Sequence, residues 1–202
     1  MLPALERLTI CEFGAGPDGV QRLAEKLGAG ALPAVTRLEL NDTHVGDAGA
    51  SALAAALGRG ALPRLKVLDL CNAAIGDAGL VALAPALRRL PALTHLVLTC
   101  NPFGDQGLAA LVAPPPPTSD TTAGAPTTTG ALSGALSGPL TRLKVLNLLH
   151  TQTNDAGCAS LAAALKEGAL PLLERLTLTA TPARATAKAA VFAARPGLLG
   201  SS

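Results

Sequence analysis

The sequence predicts an α/β solenoid: an open, curved horseshoe of about six strand–helix units, with a parallel sheet on its concave face and helices on its convex face. Three observations predict it. Leucines recur at Leu8, Leu38, Leu68, Leu96, Leu146 and Leu176, in steps of 30, 30, 28, 50 and 30 residues, and a fixed period of this size marks stacked units. Each step carries the same order of alternating leucines, a turn and an Ala/Leu-rich stretch. The composition leaves Leu and Ala to fill the core, since 49% of residues are hydrophobic but the aromatics amount to three Phe, with no Tyr or Trp.

The unit at 62–90, LPRLKVLDLCNAAIGDAGLVALAPALRRL, shows how each element arises. Leu65, Leu68 and Leu70 follow an LxxLxL pattern, and its alternating part is that of a short strand with one buried face. Pro63 leads into the strand and Gly76 leaves it through a turn. Asp77 follows, and recurs as Asp47, Asp105 and Asp155, each just before an Ala/Leu-rich segment. That position predicts a helix N-cap whose carboxylate accepts the orphan amides of its own first turn. Behind it Leu80, Leu83, Ala84 and Leu87 fall at i, i+3, i+4 and i+7, one face of a helix of about three turns. Sister units repeat this face as Ala50, Leu53, Ala54, Leu57 and as Cys158, Leu161, Ala162, Leu165.

Tandem strand–helix units stack their strands in parallel with every helix on one side, because each crossover has the same hand. Helices are about 10 Å wide and strands about 4.8 Å apart, so the stack bends with the sheet inside. One domain spanning 1–202 is expected, interrupted once. The 50-residue step between Leu96 and Leu146 contains PPPPTSDTTAGAPTTTGALSGALSG at 114–138, a Pro/Thr/Gly-rich segment too poor in core-forming residues to fold alone. It reads as a disordered insertion, either tolerated or serving as a proline-rich docking or phosphorylated segment.

At this point the residues resemble a family. VTRLELNDTHVGDAGASALAAAL, LKVLDLCNAAIGDAGLVALAPAL, LTHLVLTCNPFGDQGLAALVA and LKVLNLLHTQTNDAGCASLAAAL are similar to leucine-rich repeats, specifically the ribonuclease-inhibitor-like subclass. The resemblance covers roughly residues 2–195. It implies a protein-binding scaffold, as in the sensing arms of NOD-like receptors; the alternative it allows is a GTPase-activating regulator resembling the Ran GTPase-activating protein. Three residues after the last strand leucine the family often places Asn or Cys, whose side chain bonds the adjacent turn. Here that column reads Phe13, Thr43, Ala73, Asn101, Thr151 and Thr181, which predicts a weaker ladder, since Ala and Phe cannot bond. The last unit has lost its turn motif, and neither end carries the polar cap that closes such arrays. The last unit therefore reads either as a capping repeat or, equally, as the sign of a fragment of a larger NOD-like receptor-type protein, and self-association through uncapped terminal repeats is a further expectation.

The net charge of +2 is scattered, with no Lys/Arg run longer than two, and the stacking aromatics that single-stranded nucleic acid needs are missing; no nucleic-acid partner is expected. Glu6 and Arg7 interrupt any early apolar stretch, so neither a secretory leader nor a membrane span is read and a cytoplasmic address is expected. Cys11, Cys71, Cys100 and Cys158 lack CxxC spacing and read as free thiols. Cys100, His150 and His95 share a face, but spacing between repeats is not a metal motif, so no metal, cofactor or catalytic site is expected. An enzyme is not expected.

The candidate site is the concave face. The strand column Thr9, Glu39, Asp69, Val97, Asn147 and Thr177, with Glu12, Asp42 and Asn72 beside it, gathers carboxylates on the first three units. Glu12, Glu39, Asp42, Asp69, Asn72 and Asn147 are the predicted contacts for a protein partner, of basic character. The plain alternative is a solvated face balanced by Arg7, Arg37 and Lys66.

Overall fold

A computed structural model describes residues 5–11, 16–113 and 140–201. Strands and helices alternate along the chain: β1 Arg7–Ile10, α1 Gly16–Gly28, β2 Arg37–Leu40, α2 Gly46–Gly58, β3 Val67–Asp69, α3 Asp77–Arg88, β4 His95–Val97, α4 Asp105–Val112, β5 Val145–Asn147, α5 Asp155–Lys166, β6 Arg175–Thr177, α6 Ala185–Ala193 and β7 Leu199–Ser201. All neighbouring strands pair in parallel, in chain order. This is the expected α/β solenoid of strand–helix units on one parallel sheet, with seven strands rather than six among the described residues. The extra strand, β7, is Leu-Gly-Ser and pairs Leu199 with Arg175; no leucine pattern announces it, because an edge strand needs backbone partners rather than a buried face.

The period fixes the register. Leu8, Leu38, Leu68, Leu96, Leu146 and Leu176 lie opposite one another across six strands, and from Leu38 onward each is fully buried. The 50-residue step does not shift this ladder, since Leu96 pairs with Leu146 as directly as Leu68 pairs with Leu96. The 114–138 insertion lies outside the described residues. Opposite the sheet, Leu80, Leu83, Ala84 and Leu87 of α3, and their counterparts on α2 and α5, are buried in one continuous core.

The aspartates correct the expected capping. Asp77, Asp105 and Asp155 are the first helical residues, and the positions before them are Gly76, Gly104 and Asn154. Helical backbone at that place turns the carboxylate off its own helix end and toward the following repeat. Asp47 Oδ1 accepts the amides of Gly76 and Gly79 at 2.7 and 3.0 Å. Asp77 Oδ1 accepts those of Gly104 and Gly107 at 2.9 and 2.7 Å. Asp105 and Asp155 reach forward in the same way, to Asn154 and Arg184. Asp47 and Asp77 thus cap the next helix, and all four aspartates stitch two units together. Among the described caps, a local one comes from Asn154, whose side chain accepts the Ala156 amide.

The turn column behaves as its residue types require. Asn101, 1% exposed, accepts from Ala73 and Ile75 and donates to Leu70, Leu98 and Thr99. Thr43, Thr151 and Thr181 each donate to the strand leucine three residues earlier. A hydroxyl closes its own turn, whereas the amide of Asn101 also spans to the preceding repeat. Phe13 lies outside the described residues.

Candidate interaction surface

The strand residues between the buried leucines lie on the face of the sheet away from the helices. In chain order one column reads Arg7, Arg37, Val67, His95, Val145, Arg175 and Leu199; the next reads Thr9, Glu39, Asp69, Val97, Asn147, Thr177 and Ser201. The carboxylates predicted from sequence do gather on β2 and β3, where Glu39 is the direct partner of Asp69. They are not equivalent. Thr9 donates to Glu39 at 2.6 Å and Arg37 bonds its other oxygen. The Thr9 hydrogen bond first, then Arg37, holds the Glu39 carboxyl below its usual range against the opposing effect of burial. Asp69 behaves in the opposite way: its burial dominates and raises its pKa, with the nearby charge of Glu39 adding to the rise, although it accepts the Cys71 amide at 3.1 Å.

At the rim after the strands, Asn72 donates to Asp42 at 2.6 Å across adjacent repeats. Both residues adopt left-handed backbone, as do Cys100, His150 and Ala180 at the matching positions, so the chain turns sharply at this point in these five units. Asn147 accepts the Leu149 amide at 3.1 Å, the same local turn that Asp69 makes with Cys71. Glu12 lies outside the described residues.

Basic residues occupy the far end of the face. Arg175 lies on β6, and Lys144, just before β5, pairs with Glu174 at 2.7 Å. Exposed arginines thus stand at both ends of the face, Arg7 on β1 and Arg175 on β6, with the carboxylates of β2 and β3 and then Val97 and Val145 between them. Sequence reading found the acidic end and named Arg37 among the cations that balance it, as the pair with Glu39 bears out; it missed the Thr9 bond, whose signal was the 30-residue step that sets Thr9 beside Glu39. A shallow groove of about 460 Å³ continues along the rim, lined by Cys100, Asn101, Pro102, His150 and Gln152. Among the described residues no group of His, Cys, Asp and Glu is arranged to hold a metal ion, and no helix is long and apolar enough to cross a membrane.

A family model described as Leucine Rich repeat matches residues 32–54, 62–84 and 90–112. Each match opens in the loop before a strand and runs into the following helix. Among solved structures, the chain is similar to Leiomodin-1 Actin-Binding Site 2, with a TM-score of 0.58 at 16% sequence identity, over 86% of this chain and 85% of that one. At that identity the likeness is one of fold. No curated protein matches the chain.

Proposed function

We propose that this chain, three of whose units match the leucine-rich repeat model, is a non-catalytic protein-interaction scaffold, one repeat domain over 1–202, that binds a basic segment of a protein partner on the inner sheet face. The observation that carries this reading is the Glu39–Asp69 pair. Two carboxylates stand side by side on adjacent strands, one of them held ionised by Thr9 and Arg37. A cation placed between them relieves their repulsion, and the rigid sheet limits the ordering cost of binding. Asp42, Asn72 and Asn147 extend the same face, and Glu12 is assigned to it from sequence. The repeat step of 28–30 residues, with a helix of about three turns in most units, supports the ribonuclease-inhibitor-like subclass. A cytoplasmic address fits four cysteines with no paired spacing.

The test compares the chain with a Glu39→Lys, Asp69→Lys double variant, matched for folding by circular dichroism, in capture from native lysate read by mass spectrometry. Proteins retained by the parent and lost by the variant support the acidic face. Equal retention by both overturns it and moves the site to the helices or to residues 114–138. Actin is a defined first probe, because the similar solved structure is an actin-binding site in leiomodin-1. The same captured set decides the GTPase-regulator alternative, which requires a GTPase among the proteins retained.

A further inference from the structure

Two thiols follow adjacent strands at the rim of the sheet. Cys71 follows β3 and Cys100 follows β4, and the ladder that pairs Asp69 with Val97 continues past the strands, where the Asn72 amide donates to the Thr99 carbonyl at 2.9 Å. That bond joins the peptide unit after Cys71 to the one before Cys100. With strands about 4.8 Å apart and about 3.3 Å per residue, diagonal neighbours have Cα atoms about 6 Å apart, within the span a disulfide bridges. In a flat strand such neighbours would point to opposite faces. Cys100, however, has φ 56°, a left-handed turn that breaks flat-strand alternation at this position. Cys71 accordingly feels the Cys100 sulfur both as a charge and as a hydrogen-bonding partner.

The remaining thiols are placed elsewhere. Cys158 is buried on α5, and Cys11 lies at the end of β1, two strands away from β3. The pair also differs in access. Cys100 is exposed and Cys71 is partly covered, with burial as the main cause of a raised Cys71 pKa and the carboxylates of Asp69 and Asp42 adding to it.

We propose that Cys71 and Cys100 form a reversible, oxidant-induced disulfide that staples the third repeat to the fourth. With hydrogen peroxide as oxidant, the exposed Cys100 thiolate attacks a peroxide oxygen. The O–O bond breaks, giving a sulfenic acid at Cys100 and releasing water once the leaving hydroxide takes a proton. The Cys71 thiolate then attacks the Cys100 sulfur; the S–S bond forms, the S–O bond breaks and a second water leaves. Two thiols are oxidised and one peroxide is reduced to two waters. A dithiol reductant reverses the reaction by exchange. The staple crosses the rim beside Asp42, Asn72 and Asp69, so oxidation rigidifies the acidic end of the face. The thiol chemistry itself does not depend on what that face binds.

The experiment treats the full, reduced chain with stoichiometric peroxide, blocks remaining thiols by alkylation, and analyses unreduced tryptic peptides. Cleavage after Lys66, Arg88, Arg89 and Arg142 places the two cysteines on separate fragments, 67–88 and 90–142. The expected product is those two fragments linked with the loss of two hydrogens, with free thiols falling from four to two and returning on reduction. In Cys71→Ser the Cys100 sulfenic acid should persist and react with dimedone, while Cys100→Ser should lose no thiols at the same peroxide dose. Mixing light and heavy isotope-labelled chains separates linkage within a chain from linkage between chains. Absence of the 67–88 to 90–142 link, or its formation only between chains, overturns the proposal.

Discussion

Asp77 Oδ1 accepts the amide of Gly107 at 2.7 Å, from one repeat to the next, and a side chain at Gly107 would stand in its way: a Cβ there would lie 2.9 Å from the same oxygen. The same holds for Asp47 and Gly79, so in these two repeats the aspartate and the glycine in the first turn of the next helix are halves of one joint. The carboxylate satisfies orphan amides at the next helix N-terminus, where the helix dipole favours negative charge, and the glycine leaves it room.

The joint makes Gly79→Ala costly. Its Cβ would meet Asp47 Oδ1 at 2.5 Å, Ile75 Cγ2 at 3.0 Å and Ala50 Cβ at 3.1 Å, so both overpacking and loss of the cross-repeat cap contribute, about 2 kcal/mol in all. Gly58→Ala is the control, since nothing lies within 4 Å of its Cβ position; a gain of about 0.5–1 kcal/mol is expected from helix propensity. Chemical denaturation of both variants decides. Equal midpoints would show that the aspartate joint adds nothing.

Asn101 should matter more than any threonine in its column. Asn101→Thr keeps a donor for the local turn but abandons the Ala73 and Ile75 amides in the preceding repeat, at an expected cost of about 2–3 kcal/mol for two buried orphan donors. Thr181→Val removes the single bond to Leu178 and should cost about 1 kcal/mol. If thermal unfolding gives the threonine variant the larger loss, the cross-repeat bonds of Asn101 are not what holds that turn.

The two carboxylates on the face should respond to acid in opposite senses. The folded-state pKa of Glu39 is depressed, by Thr9 first and then by Arg37, so its stabilising contribution is present above its unfolded value and disappears as pH falls through the folded one. The pKa of Asp69 is raised, mainly by burial, so its ionisation works against folding once pH rises above the unfolded value. Asp69→Asn should therefore stabilise the fold at neutral pH and lose that advantage below about pH 4, the unperturbed Asp range. The amide keeps the local turn, as Asn147 does with Leu149. Thr9→Val should move the Glu39 titration upward, read by carboxyl-carbon NMR; an unmoved curve would rule out Thr9 as the main cause.

Pro85 sits inside α3, where α2 and α5 carry Ala55 and Ala163. It is exposed, so the ring clears the core, yet it removes an intrahelical donor. Pro85→Ala should raise stability by about 1–3 kcal/mol. A destabilised variant would mean that the helix uses a kink at this point for packing.

Much of the fold was legible from the chain by itself. The leucine period dictated the register of six strands, and the i, i+3, i+4, i+7 apolar spacing dictated which helix face is buried, because both are consequences of backbone geometry acting on side-chain order. The carboxylates of Glu39 and Asp69 could also be placed on one face by alternation alone. Tertiary structure decided what depends on neighbouring groups: that Asp47, Asp77, Asp105 and Asp155 reach forward to the following repeat rather than capping their own helix, that Thr9 and Arg37 tune Glu39 while burial opposes Asp69, and that β7 adds a seventh strand. Most of these contacts join residues about one repeat apart, so the period makes them neighbours, but it does not say which way each side chain turns or which amide it reaches. Their energies come from hydrogen-bond distance and from the water excluded when one repeat lies against the next, quantities that exist only once the repeats are stacked.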